Sequence, residues 1–248
     1  IGAAPDKPLV SVIVPPHNRP DMLGETLQSI LRQTYPNIEI LVVNDAGASV
    51  EGVIASLDPG VRIRYLQHDR NRGLAAARNT GIRAARGMYI AYLDDDDVYY
   101  PDHIETLVRF LETSEYSVAY TDAYRAHQLV TSTNRYEITQ RDLPYSFDFD
   151  SNKFLFENYI PVLCLMHRKK CLDTVGLFDE ALKRTEDWDL WIRMSRQYSF
   201  AHIPTVTAEF RWRSDGSSMM TSAREPFAWA TLHMFHKYRD YTAGNENA

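Results

Sequence analysis

The sequence predicts an α/β fold, a mostly parallel sheet with flanking helices. Short β-rich runs alternate with helical stretches of about ten to fifteen residues through the first half, the pattern of βαβ units. Polar clusters recur where the buried runs end. Size and composition are ordinary: 248 residues, 44% hydrophobic and 24% charged. Such values exclude a disordered chain, a collagen-like chain and a coiled coil. A single α/β domain of this length is common.

Taken in order, Val10–Val14 is an apolar run stopped by Pro15-Pro16, which reads as a buried strand. Asp21–Thr34 places Met22, Leu23, Leu27, Ile30 and Leu31 at helical spacing. Glu39–Val43 is the second strand and Arg62–Gln67 the third. Arg72–Arg86 is Ala-rich helix material closed by Gly87. Met88–Leu93 is a fourth strand that runs into Asp94-Asp95-Asp96-Asp97. Pro101 opens a helix to about Thr113, and Ser117–Thr121 is a fifth strand.

The second half reads differently. Tyr124–Phe149 is polar and aromatic, a hairpin or a loop region. Val162–His167 is a strand, Lys169–Val175 a short helix ending at Gly176, and Asp187–Tyr198 a helix. Thr205–Trp212 is a strand and Pro226–Tyr241 a terminal aromatic helix. The expected organisation is one domain over 1–248. Residues of about 8–121 form a binding half, and those of about 122–248 complete the site.

Lys and Arg number 27 and Asp and Glu 33, a formal charge of −6, which argues against a nucleic-acid binder. No apolar run approaches the ~20 residues needed to span a bilayer. Ile1 to Pro8 show no secretory signal, and the expected location is cytoplasmic. Cys164 and Cys171 cannot form a disulfide scaffold, and a metal site built on them would need a second pair.

In parallel sheets ligands bind at the carboxyl ends of the strands. Three polar clusters fall there: His17-Asn18, Asn44-Asp45 and Asp94–Asp97. Four adjacent carboxylates repel one another unless a cation or donors compensate. Hard oxygen ligands suit Mg²⁺ or Mn²⁺ shared with a phosphate-bearing substrate. The alternative is a solvated acidic turn capping the helix at Pro101. No G-x-G-x-x-G follows a strand and no P-loop occurs. By pattern alone, Glu186-Asp187 reads as favourable charge at a helix start. His233 and His236 lack a third ligand and read as surface or packing residues. The aromatics Phe227, Trp229, Phe235, Tyr238 and Tyr241 read as core-packing in preference to a membrane-facing or partner-binding surface, since the helix lacks a basic face.

Several motifs then occur in order. They are Val10-Ser-Val-Ile-Val-Pro-Pro-His-Asn-Arg19, Gln33-Thr-Tyr-Pro-Asn37, Glu39-Ile-Leu-Val-Val-Asn-Asp45, Asn71-Arg-Gly73, Ala77-Arg-Asn79 and Tyr89-Ile-Ala-Tyr-Leu-Asp-Asp-Asp-Asp97. Val175-Gly-Leu-Phe-Asp-Glu180 and Glu186-Asp-Trp-Asp-Leu-Trp-Ile-Arg193 follow. Over roughly residues 8 to 215 the chain resembles the family 2 inverting nucleotide-sugar glycosyltransferases. The resemblance implies a GT-A type fold, with a Rossmann-like, mostly parallel sheet and a smaller acceptor-side region.

It also implies roles. Pro15, His17 and Asn18 hold base and ribose, and Asp45 contacts the base, usually uracil. Asp94, Asp95 and Asp96 overlay the D-x-D region. Asp96 is the choice for coordinating Mn²⁺ or Mg²⁺, with Asp94 and Asp95 toward ribose and metal waters. Arg78 reaches the nucleotide or pairs with an acid under the sheet. Asp187 is the general base, Glu186 orients it or the acceptor, and His167 borders the acceptor site. The family's Asp-Asp-Gly-Ser is here Asn44-Asp45-Ala46-Gly47, Pro16 replaces a small polar residue, and Y-R-x-H becomes Phe210-Arg211-Trp212-Arg213. Arg213 then engages diphosphate or lies at the surface.

The implied reaction is hexosyl transfer from a nucleotide-sugar donor to a glycan or glycolipid acceptor, as in bacterial cell-surface glycan assembly. Peripheral association with the inner face of the membrane and membership of a larger polypeptide are the matching expectations for partners. Two rival readings stand beside it. Asp94-x-Asp96 mimics the nucleophile motif of haloacid-dehalogenase-like phosphoryl-transfer enzymes, and a non-catalytic nucleotide-sugar-binding module is the other.

Overall fold

The computed structural model describes residues 7–57, 62–131, 136–213 and 224–243. Residues 1–6 and 244–248, the ends of the expected domain, lie outside the described residues. The first half runs β1 (Val10–Val14), α1 (Pro20–Leu31), β2 (Ile38–Asn44), α2 (Glu51–Leu57), β3 (Ile63–Gln67), α3 (Leu74–Ala84) and β4 (Tyr89–Tyr92). Then come β5 (Val98–Tyr99), α4 (His103–Thr113), β6 (Val118–Val130), β7 (Tyr136–Asp142), α5 (Ser151–Phe154) and β8 (Leu165–Arg168). The chain continues through α6 (Cys171–Val175), α7 (Glu186–Ser195), β9 (Phe200–Arg213) and α8 (Arg224–Ala243).

One mixed sheet orders the strands β3-β2-β1-β4-β8-β6-β9-β5, with β7 against β6. Strands β1, β2 and β4 are buried along their whole length. Parallel strands covered on both faces are apolar on both, so these runs show no alternation. β1 pairs in parallel with β2 and with β4, and β2 with β3. The chain therefore leaves β1 in one direction, through β2 to β3, and returns past β1 to β4. That reversal opens a crevice at the carboxyl ends of β1 and β4, the usual ligand position in such sheets.

Antiparallel β8 joins β4 to β6, and β6 runs parallel to β9 over most of its length. The sheet is thus continuous through both halves of the chain. Tyr124–Phe149 contains the β6–β7 hairpin plus an irregular stretch. Val162–His167, expected as strand throughout, begins with a 3-10 turn at Val162–Cys164. The two-residue β5 and the helix α2 carry no signal strong enough to read in advance. Both cysteines are free and buried.

Helix α8 packs through one stripe. Met234 and Tyr238 are buried, and the Tyr238 hydroxyl donates to Asp189 Oδ1 at 2.7 Å. Lys237 Nζ also reaches Asp189, at 2.7 Å. Trp229 and Tyr241 stay largely exposed, against the core-packing expectation, whereas Phe235 is only partly exposed and packs edge-on against Trp188 of α7. The Phe227 side chain lies outside the described residues. Among the described residues no helix is long and apolar enough to cross a membrane.

Helix α3 lies so close to β1 that Gly81 has no room for a side chain. A Cβ there would sit 2.6 Å from Cγ2 of the fully buried Ile13. Gly81→Ala should cost about 1–3 kcal/mol of stability, the usual penalty for overfilling a packed core. Urea unfolding measures it, and a variant as stable as the parent would show that α3 can slide away.

Candidate active site

The crevice opens into a cleft of about 1140 Å³ whose walls come from both halves of the sheet. Its floor is the run after β4. Asp95 Oδ2 accepts the His17 N–H at 2.7 Å, which ties the loop after β1 to the run. Arg19, from the same loop, spans two acids: Nη2 donates to Asp95 Oδ1 at 2.6 Å and Nη1 to Asp96 Oδ2 at 2.6 Å. Arg213 also donates to Asp96 Oδ2. Arg78 Nη2 donates to Asp94 Oδ1 at 2.7 Å. Asp97 turns inward, where its Oδ1 accepts the Arg211 N–H at 2.9 Å. The four acids therefore divide into three that meet arginines at the cleft and one that holds β9.

Burial and the neighbouring Asp96 charge push the Asp95 carboxyl up to about 6, with Arg19 and the His17 N–H pulling the other way. Burial also raises Asp97 well above the ordinary range. Asp94 is the most open of the three cleft acids, its side chain 30% exposed.

The opposite wall is the start of α7. Arg78 crosses the cleft, donating through Nη1 to Glu186 Oε1 at 2.5 Å while holding Asp94. Burial works against its charge, but Asp94 and Glu186 outweigh that and keep it cationic. Asp187 Oδ1 accepts the Trp188 N–H at 2.7 Å, and Asn158 Nδ2 donates to Oδ2 at 3.3 Å. Burial raises both Glu186 and Asp187 above the ordinary carboxylate range, with Arg78 opposing in each case.

Asp45 lines the cleft with nearly all its capacity used. It accepts the Arg72 N–H, the Gly73 N–H at 2.6 Å and a bond with His68 Nδ1 at 2.6 Å. It thereby clamps the Asn71-Arg72-Gly73 turn that opens α3. Asn18 and Ala46 have φ of 57°, and Thr185 before α7 has φ of 60°. Such backbone strain in residues other than glycine gathers at functional loops. Asn18 Oδ1 accepts the Ala48 N–H at 2.9 Å, so the loops after β1 and β2 brace each other.

The cleft thus brings together Pro15, His17, Asp45, Arg78, Asp94, Asp95, Asp96, Glu186 and Asp187. Three expected residues are corrected. Asn18 braces loops and does not line the cleft. Arg213 is fully buried behind Asp96, on Gln128 Oε1, with Arg211 and Trp212 lining in its place. Its inward-facing position in β9 dictates that. His167 is also fully buried, because β8 lies between β4 and β6 and the ring bonds the Tyr92 hydroxyl at 2.9 Å. Sequence reasoning missed Arg19 and Asn158. The need for a cation beside four carboxylates was the one available signal for Arg19.

Fold and cleft together define a glycosyltransferase of GT-A fold. Residues 11–173 match Glycosyl transferase family 2, and the chain belongs to that family. It is 32% identical over 209 residues to the uncharacterized glycosyltransferase YwdF of Bacillus subtilis, covering 84% of this chain and 76% of that one. The fold is similar to that of S. aureus TarS 1-349 in complex with UDP-GlcNAc, with TM-score 0.74, 19% identity, and coverage of 92% and 66%. It is also similar to the mannosyltransferase PcManGT of Pyrobaculum calidifontis in complex with GDP-Man and Mn²⁺, with TM-score 0.70, 17% identity, and coverage of 95% and 65%. The chain spans only 36% and 31% of the length of two longer relatives from Rickettsia felis and Rickettsia bellii. Family membership sets aside the phosphoryl-transfer reading of Asp94-x-Asp96.

Arg78 is the bridge between the two walls, so Arg78→Met should cost about 3–5 kcal/mol by stranding a buried acid. The stranded Glu186 binds a proton more tightly in the folded state than in the unfolded one. Stability of the variant should therefore fall further as pH rises from about 5 to about 8. Adding Glu186→Gln should recover part of the loss; urea unfolding of single and double variants with equal losses would refute the pairing.

Proposed function

We propose that the chain is an inverting glycosyltransferase that moves a hexosyl group from a UDP-sugar to a hydroxyl of a glycan or glycolipid acceptor. The observation that carries the reading is the position of Asp187 across one cleft from Asp94, Asp95 and Asp96, with Arg78 between them. In the reaction Asp187 takes the acceptor hydroxyl proton as that oxygen attacks the anomeric carbon. The bond from this carbon to the diphosphate oxygen breaks in the same displacement, which inverts the configuration and needs no covalent intermediate. A carboxylate raised by burial suits this work, since a base is most effective when its pKa approaches the working pH. Glu186, held by Arg78, keeps Asp187 at the cleft.

His17 and Pro15 face the nucleoside end, while Asp45 acts on the base and through the Asn71–Gly73 turn that it clamps. The choice of UDP rests on the match of Asp45 to the family's base-contacting acid; the solved neighbours hold UDP-GlcNAc in one case and GDP-Man in the other. The donor set suits Mn²⁺ or Mg²⁺. Asp94 Oδ2 and Asp96 Oδ1 accept no hydrogen bond among the described residues, and both acids line the cleft. Among the described residues no group of three His, Cys, Asp or Glu is arranged for a metal, so a cation would take its remaining ligands from diphosphate and water. When bound, it supplies positive charge to the departing diphosphate. The PcManGT complex with Mn²⁺ supports that reading.

Residues of about 8–121 hold the donor and those of about 122–248 shape the acceptor side of a single domain. It works in the cytoplasm at the inner face of the membrane, within a larger polypeptide.

Asp187→Asn keeps the shape but removes the basicity. Turnover should fall by about 10²–10⁴-fold, in kcat and kcat/KM together, with donor affinity nearly unchanged. In the parent the acidic limb of the rate profile should lie above the ordinary aspartate range of about 3.9, activity being lost as pH falls through it. Near-normal turnover in the variant, or retained anomeric configuration by NMR, would remove Asp187 from this role. Asp96→Ala should weaken Mn²⁺-dependent UDP binding by more than the roughly tenfold lost with an outer-shell partner. Unchanged affinity by calorimetry would refute the metal assignment.

A further inference from the structure

We infer that Arg19 is the chain's own counter-cation for Asp95 and Asp96, and that it gives up these acids to a divalent cation while taking a diphosphate oxygen in exchange. The inference rests on the metal reading above and adds a residue to the donor site. Arg19 makes three hydrogen bonds to the two acids, through Nη2 and Nε to Asp95 and Nη1 to Asp96. Both of its partners are buried, unlike Asp94: Asp95 is 1% and Asp96 8% exposed. A second arginine already meets Asp96, but Arg213 is wholly buried in β9, whereas the Arg19 side chain is 26% exposed and lines the cleft. Arg19 is therefore the arginine of the pair that can leave.

Leaving is unfavourable without a replacement at both ends. The acids need another cation, and a guanidinium parted from Asp95 and Asp96 needs another anion. A cation on Asp96 satisfies the first need. A diphosphate beside it satisfies the second, since a guanidinium fork matches phosphate oxygens well. Neither ligand alone meets both needs. Cation and nucleotide should then each raise the affinity of the other by the same factor, as linkage requires. Arg19 carries this coupling.

The test follows binding, not turnover. Mn²⁺ is titrated into the full chain by EPR of the free aqueous ion, with and without UDP. GDP serves as a second nucleotide, so that the wrong base cannot hide the effect. Arg19→Gln should bind Mn²⁺ alone about fivefold or more tighter than the parent. Its ratio of Mn²⁺ affinities with and without nucleotide should fall by about tenfold, within the range typical of coupled sites. Arg19→Lys keeps the charge without the fork and should fall between the two. If Arg19→Gln binds Mn²⁺ alone no better than the parent, or couples as strongly, the inference is overturned while the metal reading stands. If the parent binds no Mn²⁺ even with nucleotide present, the metal reading fails and takes the inference with it.

Discussion

Crowding of carboxylates at the end of a buried parallel strand is the constraint that the rest of this molecule answers. β4 is covered on both faces, and the chain leaves it as four consecutive aspartates. Such a run can fold only where donors converge on it from elsewhere. They come from the loop after β1 in His17 and Arg19, from α3 in Arg78, and from β9 in the Arg211 N–H and Arg213. These donors tie three separate elements to one point. The electrostatic requirement and the tertiary structure are thus the same set of contacts. Removing these donors without a replacement would leave charge uncompensated in a poorly solvated place.

Arg78 extends that logic across the cleft. A carboxylate pair at the start of α7 would repel the aspartate run if nothing stood between them. One guanidinium serves both, at 2.7 Å from Asp94 and 2.5 Å from Glu186. Asn79, the next residue of the same motif, holds the segment leading to α7: its Oδ1 accepts the Phe178 N–H, and Nδ2 donates to Phe178 O and to Glu180. The Ala77-Arg-Asn79 motif therefore positions the α7 acids from the donor half, although about 100 residues of chain separate the two. That is the physical content of two motifs occurring together.

How much of this was legible depended on how local the cause was. Strands β1, β2 and β4 were readable because burial on both faces leaves an unbroken apolar run, and the strand-end polar clusters followed from them. The Asp187 assignment was not local at all: charge at a helix start explains it equally well, and only the motif resemblance separated the two. Burial of Arg213 and His167 was beyond reach for a different reason. It depends on which strands flank β9 and β8, and the parallel pairing of β6 with β9 joins segments some 80 residues apart, such as Val118 with Phe200. Arg19 stood within a quoted motif, but its partners lie 76 and 77 positions away.

The acceptor side is held by a different device, and the difference bears on function. Two residues after Asp187, Asp189 is fully buried and accepts from Arg193, the Tyr238 hydroxyl and Lys237. This carboxylate docks α8 onto α7, together with Phe235 against Trp188 and the buried Met234. These contacts fix the helix along one stripe only, leaving Trp229 and Leu232 exposed beside Thr231, which lines the cleft. The aspartate wall is thus built on charges satisfied from several directions, while the facing wall, the acceptor side on the proposed reading, leans on one anchored helix. A helix anchored along one stripe can change its outer residues without disturbing the acids behind it. On the proposed reading, the chemistry stays with Asp187 and the aspartate run while acceptor choice varies with the surface of α8.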